Sequence, residues 1–575
     1  MSPSNAPKSS IFIYVLVLVA LNLAVFLPSM QGDFLWDDKY FISENPNIQG
    51  PGFLKNFLLS PFGGFSGLDE NSARMDRIMQ FYRPLTSLSY WLDFKIWGLN
   101  PAGFHLINIL LHTANTILLL VILLALGIPR LPSFAGALLF SVFPLHFENV
   151  AWISGRTDLL AFLFGALSAL FLIKFLGEKR GLYLGLSSLF FLFSLLAKES
   201  TILLPAFFLI VLYKREARGI KTIAFILPYA VAILAWFILR AVAFAAIGLK
   251  YSGRTLLDLF AAAGFYTTKL LAPFNLSVTI DPVPVFRSIP GMIFGAGLTG
   301  IFLVSVFRVI GRKWKEDWPY PAVITYFVFL LPPLAAIFSA GTISFLAWRF
   351  LYLPSAVLTA GLAWAAFKFM KRQALAIAFL AFVLLGYGFE IYPKNILYGN
   401  EEVAFWQRFK NIEREDVLAR FNIGVKGLAS DEKKSLAILN EILADRTQPL
   451  YDTLQVRIYE ELGAYYTVTK RFDQAERYFN EIFKIRTSHS LHFYFNYALF
   501  LGLSGKVPDG EKLIAEIYRQ FPRNHFVLTR AAKFYLVVKD YAKAAEFYSK
   551  DYSLFRTRQS LALLQELQPF LKKSS

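Results

Sequence analysis

Two carboxylates, Asp37 and Asp38, stand side by side in the stretch QGDFLWDDKYFISENPN, residues 31–47, directly after an apolar run. Trp36 precedes them and Lys39–Tyr40–Phe41 follows. Acids on an aromatic-rich loop at a bilayer surface are suited to taking a proton from a hydroxyl. Alone, the pair reads more readily as a solvated turn, so its companions decide the reading. Four cations, Arg83, Arg156, Lys198 and Arg349, recur near the ends of apolar segments. Singly, each reads as an interfacial side chain reaching for water. Together with two carboxylates they suit phosphate-ester chemistry, in which cations receive the phosphate and an acid moves the proton. His146, Glu148, Arg156 and Asp158 crowd a helix break after Phe143–Pro144. His105, Asn108, His112 and Asn115 follow at steps of three, four and three, which puts them on one helix face. That face serves either hydrogen bonding between helices or a wet cavity. His105, at the outer end, is expected to line the site. With His146 and Glu148, it would orient sugar or acceptor.

These residues must be positioned by a membrane bundle. The chain has 575 residues, 56% of them hydrophobic, and a positive mean hydropathy. Those values exclude an ordinary soluble protein. A net charge of +18 could signal nucleic acid, but Lys and Arg collect in short linkers: Lys174–Arg180, Lys214–Lys221, Arg308–Lys315 and Lys368–Arg372. That is the pattern of cytoplasmic loops, so no nucleic-acid partner is expected. With no cysteine there is no disulfide and no thiolate site. The apolar run at 11–28 lacks a small-x-small cleavage site at its end and reads as a retained first span.

The parity of crossings between basic linkers then gives about eleven spanning helices, an inner N-terminus and an outer loop over 31–101. It leaves 247–290 as an outer, non-spanning segment. The predicted domains are a transmembrane unit over 1–399 and a second unit over 400–575 on the outer side. The fold class is therefore all-α, a polytopic membrane helix bundle followed by a repeat solenoid. The solenoid is read from Ala475, Gly510 and Ala544, spaced 35 and 34 residues apart, the period of the tetratricopeptide helix pair. Gly463, Ala498 and Ala532 mark the first helices of three units, and a degenerate fourth is expected over Leu418–Leu443. Stacked pairs of this kind present a concave protein-binding surface.

Several stretches resemble the membrane O-mannosyltransferases that carry tetratricopeptide repeats, within the multi-spanning, lipid-phosphosugar-dependent GT-C class of glycosyltransferases. They are Trp36–Asp37–Asp38 with Ile42 and Asn45–Pro46; Tyr82–Arg83–Pro84–Leu85–Thr86; Gly103–Phe104–His105 through His112; Pro144–Leu145–His146–Phe147–Glu148 with Gly155–Arg156; Leu196–Ala197–Lys198–Glu199; and Arg349 through Ser355. The short repeat array resembles a bacterial relative. Phe143 stands where the family often has His, and Trp348 where it commonly has an acid, so the resemblance leaves the donor sugar open.

The resemblance implies an acidic pair in the first outer loop as catalytic centre, here Asp37 and Asp38. It implies a polyprenyl-phosphate-linked sugar as donor substrate and a protein hydroxyl as acceptor. Phosphate or substrate contacts fall to Arg83, His105, His146, Glu148, Arg156, Lys198 and Arg349. If a divalent metal takes part, Asp37, Asp38 and Glu148 are its ligands; no other cofactor is expected. The expected place is the bacterial inner membrane, with an extracytoplasmic repeat domain that holds the acceptor protein. Two other readings stay open: transfer to a lipid or polysaccharide by the same mechanism, and a non-enzymatic scaffold that recruits partners through its repeats.

Overall fold

The computed structural model describes residues 9–43, 45–49, 53–59, 81–214, 221–243, 255–277, 280, 285–310, 319–338, 346–397, 417–445, 451–485, 491–555 and 558–571. The glycine-rich stretch 61–67 and the 399/400 boundary lie outside them. Every regular element among the described residues is helical.

The membrane part runs through α1 (Ser9–Phe26), α2 (Pro84–Trp97), α3 (Pro101–Ala125), α4 (Arg130–Ser141), α5 (Arg156–Glu178), α6 (Gly181–Ala197), α7 (Leu204–Lys214), α8 (Lys221–Ala243), α9 (Leu256–Leu271), α10 (Ile289–Ile310), α11 (Pro319–Ala335), α12 (Tyr352–Phe369) and α13 (Gln373–Leu397). Pro84 and Pro101 open α2 and α3 at the first turn, where a missing N–H costs nothing. Among the described residues eight helices are long and apolar enough to cross a membrane. A pair bent by 45°, Arg130–Ser141 with Pro144–Val150, makes a ninth if it is one span. Against the expected count of about eleven, eight or nine helices among the described residues meet that length. Gly181–Ala197 and Glu199–Leu212 are apolar but shorter, and helices below the usual span length need local thinning of the bilayer or snorkelling flanking residues. The chain is a multi-pass membrane protein.

Helix α9 has 16 residues and is not among the eight. Its start is fixed by a capping box: the Thr255 hydroxyl accepts from the Asp258 N–H and the Asp258 carboxylate accepts from the Thr255 N–H. Leu256, Leu257 and Leu271 lie exposed on it.

The C-terminal part forms four helix pairs, α14 (Val417–Gly427) with α15 (Glu432–Ala444), α16 (Tyr451–Val468) with α17 (Phe472–Lys484), α18 (Leu491–Leu503) with α19 (Val507–Gln520), and α20 (His525–Val537) with α21 (Tyr541–Phe555), closed by α22 (Arg558–Leu571). The small residues that marked the repeats are the ones that let helices touch. Ala475, Ala498, Ala532 and Ala544 are fully buried. A Cβ on Gly463 would come within 2.8 Å of the Phe479 ring, so a larger residue there would force the pair apart.

The last repeats dock onto the segment between α1 and α3. The Phe94 and Phe555 rings lie 5.8 Å apart. The Leu99 N–H donates to the Phe555 carbonyl at 3.3 Å, and the His525 N–H donates to Gln49 Oε1 at 3.3 Å. One apolar cluster joins Phe41, Ile42, Phe94 and Ile153 to Phe495, Val527 and Phe555. Loop and repeats thus share one side of the bundle.

Phe555 is 2% exposed, so Phe555→Ala should cost about 3–5 kcal/mol of docking. Hydrogen exchange should then accelerate at the Leu99 amide while the spans stay protected. Unchanged exchange at Leu99 would contradict the docked arrangement.

Candidate functional site

The two adjacent acids have different jobs. Asp38 is fully buried. Its Oδ1 accepts from the Ser154 N–H at 2.8 Å and from the Ser154 hydroxyl, and its Oδ2 accepts from the Leu35 N–H at 3.0 Å. Burial is the main influence on its carboxyl and outweighs these hydrogen bonds, and the neighbouring Asp37 charge adds to it, so the group is pushed up to about 7. Asp38 is thus a tether between the outer loop and the segment before α5. Asp37 is half-buried. Its charge acts on Arg349, which puts it beside the cations and partly open to solvent.

A local backbone distortion separates the two. Trp36 has φ +44°, a left-handed value that a bulky side chain adopts only when its surroundings impose it. Its ring meets Trp152 edge-on at 5.9 Å. The Trp152 indole N–H donates to the Leu35 carbonyl at 3.4 Å, and the Arg349 guanidinium lies 4.9 Å over the Trp152 ring. Trp152 therefore stands between the Asp37 turn and Arg349.

The segment 142–156 behind them is held from every side. The Asn108 amide donates to the carbonyls of Val150, Trp152 and Ile153 at 3.4, 3.1 and 3.2 Å. The Tyr90 hydroxyl donates to the Ile153 carbonyl at 3.2 Å. A Cβ on Gly155 would overlap the Glu148 and Asn149 carbonyls, so only glycine permits this close turn.

Arg156 is the central strut of this segment. It is wholly buried, paired with Asp93, and donates from Nε to Asn108 Oδ1 at 2.7 Å and from Nη2 to the Phe104 carbonyl at 2.8 Å. All three donor nitrogens are thereby engaged, which corrects its expected place among the phosphate ligands. His146 also leaves the expected set. Its Nε2 meets the Ser355 hydroxyl at 2.8 Å, and its ring packs against Phe140, His112 and Tyr352 inside the bundle. His112 and Asn115 are likewise interior, joined through the Tyr352 hydroxyl at 2.7 and 3.2 Å. The polar face of α3 is thus mostly interhelical hydrogen bonding. His105 differs: it is buried, with the Gly32 backbone as the hydrogen-bonding group beside its ring.

The other three cations each meet an acid. Arg83 donates from Nε and Nη2 to Glu199 at 3.1 and 2.7 Å. Buried Lys198 donates to both Asp158 oxygens at 2.6 Å. Arg349 pairs with Glu148 through Nη1 and takes its Oε2 on the backbone N–H at 2.9 Å. The charges of Arg83 and Arg349 both act on Lys198, so the pairs form one constellation. Glu148 is thus a partner that aims Arg349. Among the described residues no group of three or more His, Asp or Glu side chains is placed to hold a metal.

Below this constellation an apolar cavity of about 470 Å³ runs inside the bundle. Phe162, Leu204, Leu353, Leu126, Pro319 and Trp364 are among its lining residues. Phe162 lies one helical turn below Asp158, and Leu353 one turn below Arg349.

The sequence comparison finds curated proteins named protein O-mannosyl-transferases. One from Caenorhabditis elegans is 32% identical over 179 residues, which is 30% of this chain and 24% of that protein. Protein O-mannosyl-transferase TMTC2 of Mus musculus is 37% identical over 159 residues, 28% of this chain and 18% of its own length. TMTC4 of Homo sapiens is 35% identical over 177 residues, 28% of this chain and 22% of its own. The chain spans about a quarter or less of the length of the curated relatives it matches. No family model matches it.

The raised Asp38 carboxyl carries a pH signature. In the unfolded chain the group ionises near 3.8, in the fold near 7. Its contribution to stability is full below the lower value and is lost as pH rises through the upper one. Asp38→Asn should flatten the melting-temperature profile between about pH 4 and 7. It should also lower stability by about 1–3 kcal/mol, because an amide Nδ2 cannot accept from the Leu35 N–H. An unaltered profile would remove Asp38 from its tethering role.

Proposed function

We propose that this protein transfers a sugar from a polyprenyl-phosphate-linked donor to a protein hydroxyl at the extracytoplasmic face of a membrane, in the setting of a bacterial inner membrane. The observation that carries the reading is the division of labour at residues 37 and 38. One carboxylate is locked by three donors, and its neighbour is left half-open in the field of Arg349. The names of the relatives support the reaction class.

The chemistry follows from the residues. The acceptor hydroxyl attacks the anomeric carbon of the donor as its bond to the phosphate oxygen breaks. Asp37 takes the hydroxyl proton. The departing polyprenyl phosphate carries the electron pair away as an anion and needs no proton if cations hold it, which is electrostatic stabilisation of the leaving group. Arg349, 19% exposed at its side chain and oriented by Glu148, is the cation best placed for this. Lys198 acts from behind through its charge. His105, buried on α3 beside the Gly32 backbone, would orient a sugar hydroxyl. The apolar cavity below Arg349 suits an isoprenoid chain.

The repeats would present the acceptor. Three first helices of successive pairs put Arg457 and Glu460, then His492 and Asn496, then Phe526 and Arg530 along one strip. Burial and the neighbouring Glu461 push the Glu460 carboxyl up to about 8. Such a strip favours an extended polypeptide over a lipid or glycan acceptor.

Asp37→Asn should leave the melting temperature within about one degree, since the residue is half-exposed, and should cut transfer by about 10²–10⁴-fold. Transfer of polyprenyl-linked sugar to a hydroxyl peptide, followed by mass spectrometry, reads the effect. Undiminished transfer in a folded Asp37→Asn protein would sink the mechanism.

A further inference from the structure

The first helices of the repeats carry titratable groups that proton transfer at Asp37 does not use. Helix α18 packs against both α16 and α20, so the three lie side by side along the inner curve of the stacked array. Arg457, Glu460 and Glu461 stand on α16, His492 and Asn496 on α18, and Phe526, Arg530 and Lys533 on α20. The charges of Arg457 and Arg530 reach Glu460, Glu461 and His492 alike, so side chains from three helices make one electrostatic cluster. Aromatic rings hold it in place. The Arg457 guanidinium lies 5.0 Å over the Phe421 ring and that of Arg530 lies 5.1 Å over Phe526. The His492 ring stacks on Phe526 at 6.1 Å. Stacking holds a guanidinium by its face and turns its in-plane N–H edge to acceptors.

The electrostatics of the strip favour a negative partner. The Glu460 carboxyl is 7% exposed and meets the Asn496 amide at 3.5 Å. Burial and the Glu461 charge outweigh both arginines there and push it up to about 8, so at neutral pH it carries a proton and donates instead of cancelling a cation. Burial raises Glu461 as well. At His492, burial and the charges of Arg530 and Arg457 act in the same direction and hold the imidazolium down to about 4. Burial and the Arg530 charge likewise lower Lys533. The arginine contribution at both positions reports a positive field over the strip. Arg457 and Lys533 are exposed, so a partner meets them directly, while Arg530 contributes through its charge. The strip also leads to the candidate site. Phe526 packs against the apolar cluster that holds Phe41 and Ile42, a few positions after Asp38, and its neighbour His525 donates its N–H to Gln49 in the same segment.

We propose that the inner face of α16, α18 and α20 is a docking groove for an extended acidic polypeptide, whose carboxylates meet Arg457 and Lys533 and whose backbone meets Glu460 and Asn496. The inference rests on the repeats presenting the acceptor, as in the proposed function, and adds which acceptors they select: hydroxyl residues within segments rich in Asp and Glu. Packed helices lie about 8–10 Å apart and an extended chain advances about 3.3 Å per residue, so successive first helices meet roughly every third residue. Acids about six positions apart would therefore reach Arg457 and Lys533 together. Charge complementarity of this kind supplies partner choice and encounter rate more than raw affinity.

The test is fluorescence anisotropy of labelled peptides with the purified full chain in detergent and no sugar donor. The peptides share one length and one set of Ser and Thr residues, and differ only in carrying Asp, Asn or Lys at the spaced positions. The wild type should bind the Asp peptide about tenfold more tightly than the Asn peptide, and the Lys peptide least, with the preference shrinking in high salt. Arg457→Glu and Lys533→Glu, both at exposed positions, should each weaken Asp-peptide binding about three- to tenfold at an unchanged melting temperature. Affinity for the Asp peptide should also fall severalfold between about pH 7 and 9, as Glu460 gains its charge, and Glu460→Gln should remove that fall. Equal binding of all the peptides would overturn the selection of acidic segments and leave the repeats as presenters of acceptor. An acidic preference unchanged in both charge-reversed variants would overturn this strip as its source. Displacement of the Asp peptide by phosphatidylglycerol as readily as by its unlabelled copy would make the strip a lipid contact and overturn the groove. Transfer to these peptides without measurable binding would overturn the groove and the presenting role but not the transferase reading. Binding as expected without transfer would uphold the groove and count against the transferase alone.

Discussion

One buried carboxylate sets the geometry of the candidate site. Asp38 takes the Ser154 backbone N–H and hydroxyl on one oxygen and the Leu35 N–H on the other. It thereby ties the loop after the first span to the break between α4 and α5. A buried, hydrogen-bonded acid of this kind is costly to charge, yet breaking its contacts would leave three donors with no acceptor. The left-handed Trp36 is the strain accepted to turn Asp37 the other way, toward Arg349.

The break at 142–156 is the hub onto which everything else is fastened. Arg156, Asn108 and Tyr90 hold it from α5, α3 and α2. Arg349 and Glu148 hold it from the start of α12. Rigid support of this sort is what a transfer reaction needs, because leaving-group stabilisation works only when the cation is already in place. The repeats add a second level, since Phe555 and His525 seat them on the same loop that the hub positions.

Much of this was legible in the residues. The all-helical class followed from apolar runs and the repeat period, and the fully buried Ala475, Ala498, Ala532 and Ala544 explain why that period showed. The Asp37–Asp38 pair stood out because two acids beside a span are rare. What the chain order hid was partnership. Nothing in the spacing says that Asp38 would find Ser154, more than a hundred positions away, or that Arg156 would spend its donors on Asp93, Asn108 and Phe104. Cations were therefore over-counted as phosphate ligands, since a guanidinium reads the same whether it is a strut or a receptor. His146 was misplaced for a related reason: Pro144 bends the chain inward, so its ring meets Tyr352 and Ser355 rather than the outer mouth.

The most direct measurement is a structure of the full chain holding a non-hydrolysable polyprenyl-phosphosugar and a hydroxyl peptide together. The account predicts the acceptor hydroxyl within hydrogen-bond reach of Asp37, the phosphate on Arg349, and Asp38 still bound to Ser154 and Leu35. A hydroxyl resting on Asp38, or a phosphate remote from Arg349, would contradict it.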